Sequence, residues 1–72
     1  MKKIYKFEEL DCANCAAKIE DAINKLPEVK LATVSFMTQK LTLEAEGEIT
    51  ADLLKKIDKT CRKVERDCRL IY

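Results

Sequence analysis

The 72-residue chain has one glycine, one proline and no long apolar run. Without about 18 consecutive apolar residues there is neither a membrane span nor the core of a secretory signal, so the chain reads as cytoplasmic, with no direct membrane insertion. The scarcity of Gly and Pro, with 47% apolar and 38% charged residues, fits a compact domain and not a disordered tail or a disulfide-dense scaffold. No internal repeat, low-complexity tract or domain boundary divides it, so residues 1–72 make one domain. A chain this short buries only about 60% of its unfolded surface, which leaves a thin stability margin and room for one simple site.

Charge of one sign is also missing: the net charge is +1, which argues against a nucleic-acid or polyanion binder. Tyr5, Phe7 and Phe36 have no basic stripe around them and read as core aromatics, not as a stacking platform. The charges present are unevenly spread. Glu44, Glu46, Glu48 and Asp52 form an acidic stretch, while Lys55, Lys56, Lys59, Arg62, Lys63, Arg66 and Arg69 make residues 55–69 basic. These read first as solvated faces, with partner docking as the alternative.

Hydrophobic periodicity gives the order of elements. Tyr5 and Phe7 alternate with Lys3, Lys6 and Glu8, which predicts a strand over Lys3–Glu9. After Asp11 the spacing changes to that of a helix, with Ala16, Ile19, Ile23 and Leu26 on one stripe, and Pro27 ends it near Lys25. Ala32, Val34 and Phe36, then Leu41 and Leu43, alternate on either side of Met37-Thr38-Gln39 and predict a hairpin. Met37 is a soft donor by chemistry but reads as a turn residue, far from the cysteine loop. Gly47 interrupts the pattern, Thr50 is a fitting N-cap, and Leu53, Leu54, Ile57, Cys61 and Val64 form a second helical stripe. Cys68, Leu70 and Tyr72 predict a short closing strand. This βαββαβ order implies an α+β, ferredoxin-like plait: a four-stranded antiparallel sheet with two helices on one face.

The chemistry concentrates in Asp11-Cys12-Ala13-Asn14-Cys15. Cys12 falls in the loop and Cys15 in the first turn of the helix, so the two sulfurs can point the same way. A helix N-terminus favours thiolate over thiol, and on that ground Cys15 is expected to be the more activated. Two thiolates supply half of a tetrahedral zinc shell, or all of a near-linear shell for Cu(I). Asp11 adds a hard oxygen, which tips the expectation toward Zn(II), Cd(II) or Pb(II). A thiol-disulfide redox site uses the same spacing. Here, however, Ala13-Asn14 stands between the cysteines, where thioredoxin-like sites carry Gly-Pro or Pro-His, and the sole proline follows the helix.

The segment Leu10-Asp11-Cys12-Ala13-Asn14-Cys15-Ala16, followed by Lys18-Ile19-Glu20 and Leu26-Pro27-Glu28-Val29, resembles the heavy-metal-associated domain, and the resemblance extends over the whole chain. That family includes copper chaperones, mercury-binding proteins and N-terminal domains of heavy-metal-exporting P-type ATPases. The Asp-Cys-x-x-Cys form resembles the zinc, cadmium and lead branch, whereas copper members typically carry Met-Thr-Cys or Met-His-Cys. The resemblance implies that Cys12 and Cys15 hold the metal, that Asp11 is the extra ligand, and that Leu10 replaces a Met that packs beneath the loop. It further implies a domain without turnover of its own, which passes its ion by ligand exchange to a heavy-metal-transporting ATPase, in cis or in trans, or to a thiol-bearing partner domain. A Cu(I) metallochaperone is the alternative.

The sequence departs from the family pattern at two places. Glu9 stands where most members have Gly, and there its carboxylate either faces water or adds to the cation site. Val64-Glu65 lies near the place of the Gly-Tyr or Gly-Phe pair that usually precedes the last strand. Cys61 and Cys68 occupy positions where a small apolar side chain fits, so the core is their expected place. The alternatives are a role in metal binding, for which Cys61 is the better placed, or a disulfide.

Overall fold

Strands and helices form where the periodicities put them. The computed structural model describes residues 1–72. The order is β1 (Lys2–Glu8), α1 (Ala13–Asn24), β2 (Val29–Ser35), β3 (Lys40–Ala45), α2 (Ala51–Val64) and β4 (Arg69–Ile71). All strand pairs are antiparallel, in the order β2-β3-β1-β4. Helix α1 packs on β2, α2 on β4, and the helices on each other. The expected ferredoxin-like plait is therefore the fold observed. No helix is long and apolar enough to cross a membrane.

The core is formed where the two periods meet. Phe7, Ala32, Leu41, Leu43 and Leu70 from the strands join Ile19, Ile23, Leu53 and Ile57 from the helices in one buried cluster. Full burial of such a side chain contributes about 1.5–3 kcal/mol each. No polar or charged residue is buried. Thr50 caps α2 as expected, its Oγ1 accepting the N–H of Leu53 at 3.2 Å.

The structure shifts three expected boundaries. Strand β2 starts at Val29 and not at Ala32, because a bulge between Val29 and Leu31 breaks the alternation. Lys30 is the extra residue, and it lets both Val29 and Ala32 face the core. Cys68 and Tyr72 fall outside β4, and Tyr72 is exposed where its parity with Leu70 suggested otherwise. Strand β1 ends at Glu8, because Glu9 takes a left-handed conformation at φ 59.

That angle explains why a glycine is usual at this position in the family the sequence resembles. A Cβ in the left-handed region costs about 1–2 kcal/mol, and a glycine avoids most of it while losing about 0.5–1 kcal/mol of unfolded-state entropy. Glu9 is exposed, so its side chain contributes no packing in return. Glu9→Gly is accordingly expected to raise stability by about 0.5–1 kcal/mol in urea unfolding, with an unchanged m-value. Leu10→Ala, one residue further, removes a side chain with no exposed surface and should cost about 2–5 kcal/mol in the same assay.

Candidate metal centre

The chain leaves β1 through the left-handed turn at Glu9, buries Leu10 completely, and re-emerges at Asp11. Leu10 therefore packs in the core beneath the loop, as the resemblance implied. Cys12 is the N-cap of α1, with extended backbone at φ −127 and ψ 119. Its Sγ accepts the backbone N–H of Cys15 at 3.3 Å. A thiol here does what Ser or Asp does at most helix starts: it satisfies one of the N–H groups that lack an intrahelical partner.

This capping reverses the expected order of activation. Cys12 is held below the ordinary thiol range, first by the Cys15 thiol donating to it, then by the backbone N–H groups of Cys15 and Asn14. Cys15 is pushed up to about 12 because its thiol donates to Cys12, because burial disfavours its thiolate, and because Glu65 accepts from it and repels the thiolate. The free N–H groups of a helix start converge on the N-cap, not on a residue inside the first turn, so the stabilised thiolate belongs to Cys12. The two thiols influence each other's titration.

The third group at this place is Glu65. The sulfurs of Cys12 and Cys15 and a carboxylate oxygen of Glu65 all lie within 4.8 Å of one another, each residue half-buried. Glu65 follows α2 directly. Its N–H donates to Cys61 O at 2.9 Å and its own carbonyl accepts from Cys68 N at 3.0 Å, so the backbone on both sides of it is tied down. With metal–sulfur bonds of about 2.3 Å, two sulfurs sit about 3.8 Å apart in a tetrahedral shell and about 4.6 Å apart in a linear one, and a separation of at most 4.8 Å is compatible with either. None of the surface concavities is lined by these residues, so the donors stand at the surface and not inside a cavity.

Asp11 is exposed and is not one of the three converging groups. Glu65 was not singled out as a donor from the sequence. Two signals pointed to it: an acidic residue near the place of the usual Gly-Tyr or Gly-Phe pair, and a loop that the plait brings to the end carrying the cysteines. Glu9 is also exposed and outside the trio. Cys61 and Cys68 are free thiols buried in the core. Cys61 Sγ donates to Asp58 O at 3.1 Å and lies 3.6 Å from Cys68 O. Burial pushes both thiols up. They pack as small apolar side chains, and neither joins the cluster.

Comparison with known proteins bears on the chain as a whole. The family model of the heavy-metal-associated domain matches residues 4–65. The chain is 36% identical over 55 residues to the zinc/cadmium/lead-transporting P-type ATPase of Escherichia coli (strain K12), covering 76% of this chain and 8% of that protein. It is 37% identical over 49 residues to the probable copper-importing P-type ATPase A of Enterococcus hirae, covering 68% of this chain and 7% of that protein. The chain thus spans less than a tenth of either relative. Among solved structures, the N-terminal domain of ZntA in its Zn(II) form superposes with a TM-score of 0.73 at 27% identity, covering 97% of this chain and 88% of that one.

The split between the two thiols can be read by alkylation. With limiting iodoacetamide near neutral pH, peptide mass spectrometry should find label on Cys12 first, because its thiolate forms below the ordinary thiol range. Cys15, whose thiol is pushed up, should be labelled only after Cys12, and Cys61 and Cys68 only when the domain unfolds. Labelling of Cys15 before Cys12 would contradict the capping role of the Cys12 sulfur.

Proposed function

Because the chain belongs to the heavy-metal-associated domain family, we propose that it binds a borderline divalent ion, Zn(II), Cd(II) or Pb(II), on the thiolates of Cys12 and Cys15 with carboxylate help. It then passes the ion to a heavy-metal-transporting ATPase or a thiol-bearing partner domain on the cytoplasmic side. As a member of that family the domain is a heavy-metal-binding module and not itself catalytic.

The observation that carries the reading is the convergence of two sulfurs and one carboxylate oxygen within 4.8 Å. Two thiolates alone satisfy Cu(I), which is content with a near-linear sulfur pair, whereas a mixed sulfur and oxygen set suits Zn(II) and its heavier relatives. Glu65 is the third ligand in this proposal. Asp11, exposed beside the N-cap and outside the trio, is the further carboxylate that would turn in toward the ion. Both carboxylates bring negative charge to a cation site and lower the cost of holding a doubly charged ion at two thiolates.

Transfer follows from where the donors stand. Cys12, Cys15 and Glu65 keep part of their surface exposed, so a partner's thiolates reach the ion while it is still bound. A hard carboxylate on a soft ion is the weakest of the bonds and is displaced first. The incoming sulfur takes that position, the old thiolates leave in turn, and the ion never becomes free. Loading runs the other way and expels the proton that Cys15 holds, so binding strengthens as pH rises.

A Cu(I) reading competes, because the chain is as similar to a copper-importing ATPase as to a zinc, cadmium and lead transporter. Competitive titration of the reduced protein separates the two. Cys12→Ser combined with Cys15→Ser should abolish binding of every metal. Glu65→Ala and Asp11→Ala should each weaken Cd(II) and Zn(II) by about 10–100-fold, the loss seen when even outer carboxylates of metal sites are removed, and should leave Cu(I) unaffected. If Cu(I) displaces every divalent ion and neither carboxylate matters for Zn(II), the copper reading replaces the divalent one.

A further inference from the structure

The sheet has two edges, β2 and β4, and an edge strand offers a row of main-chain N–H and C=O groups on which another strand can be laid. Strand β2 carries a strong version of this hazard. Its stretch Leu31-Ala32-Thr33-Val34-Ser35-Phe36 has no charge, no proline and no glycine, and Leu31 is 52% exposed. Such segments pair readily with copies of themselves.

Three of the outward main-chain groups of this segment are already taken. Asn24, the last residue of α1, accepts the N–H of Ala32 on Oδ1 at 2.8 Å and donates Nδ2 to the carbonyl of Ala32 at 2.9 Å. Its carboxamide stands where the peptide unit of a further strand would stand. The same Nδ2 donates to Glu20 O at 2.9 Å, which fixes the amide plane. One turn back along α1, Glu20 Oε2 accepts the N–H of Val34 at 2.8 Å.

The opposite edge repeats the arrangement. Phe7 donates its N–H to Gln39 O at 2.8 Å, on the β3 side, so its pairing with Leu70 exchanges no ladder bonds and the N–H of Leu70 points out of the sheet. Asp58 Oδ1 on α2 accepts that N–H at 3.0 Å, while its Oδ2 pairs with Arg62 at 2.8 Å. Each helix thus sends a polar side chain to the sheet edge it packs beside.

We propose that Leu31–Phe36 is a latent strand-pairing surface for a second copy of this chain, and that Asn24 and Glu20 keep it closed. Asp58 does the same for β4. The partner is a second copy because an uncharged segment rich in β-forming residues is complementary to itself in antiparallel pairing, and no charge in it selects another sequence.

Two measurements decide this. In native-state amide exchange of the unmodified protein, Ala32, Val34 and Leu70 should be protected like ladder amides, although they face outward at an edge; exchange at the rate of open amides would overturn the proposal. In Glu20→Ala combined with Asn24→Ala, Ala32 and Val34 should lose protection, and sedimentation velocity should show concentration-dependent association that adding Thr33→Lys reverses. A folded double variant that stays monomeric, or association that Thr33→Lys does not suppress, would overturn it as well. Should the double variant fail to fold, Asn24→Ala alone is put to the same exchange and sedimentation tests, with the same outcomes for and against.

Discussion

A single contact organises the working end of this domain: the sulfur of Cys12 accepting the backbone N–H of Cys15 at 3.3 Å. It starts α1, because a helix needs an acceptor for its first free donors. After the larger effect of the two thiols on each other, it also helps to set their protonation apart, Cys12 toward thiolate and Cys15 toward thiol. Cap, chelate and proton distribution are one arrangement. If Cys12 binds an ion as proposed, the same N–H that caps the helix would temper the charge of its thiolate.

The junction of α2 and β4 supports that contact from the other side. Glu65 stands beside the sulfurs because its backbone is tied to Cys61 and Cys68, and because both those cysteines are sunk in the core. Asp58 ties α2 to β4 through Leu70. Cys61 and Cys68 therefore matter by packing and not by their thiol chemistry: they fix the turn that carries Glu65. The carboxylate is positioned by the hydrophobic core, just as the loop carrying Cys12 is anchored by the buried Leu10.

Much of this could be read from the sequence. Period-two and helical stripes of apolar residues gave the order of elements, since those patterns are imposed by the burial that drives folding. The capping position of Thr50 and the break after α1 followed from local chemistry. Local rules failed where the backbone departs from its regular period. The bulge at Lys30 hid the start of β2, and the left-handed turn at Glu9 shortened β1. Neither event has a glycine to mark it, and a bulge or positive φ on Lys or Glu is visible only in the folded chain.

The site divides in the same way. By itself the sequence determined that Cys12 and Cys15 form a pair at a helix start, because their spacing is local and one helical turn brings them together. It also determined that acidic residues stand near that loop. Which of the two sulfurs is the thiolate depended on the direction of N–H groups around the cap, and sequence order does not record direction. Which carboxylate joins the sulfurs depended on a contact between residues far apart in the chain. Asp11 is adjacent in sequence yet outside the trio, while Glu65 arrives from the end of α2. Only packing of the two helices on one sheet could decide that, because proximity across a fold is set by the core and not by distance along the chain.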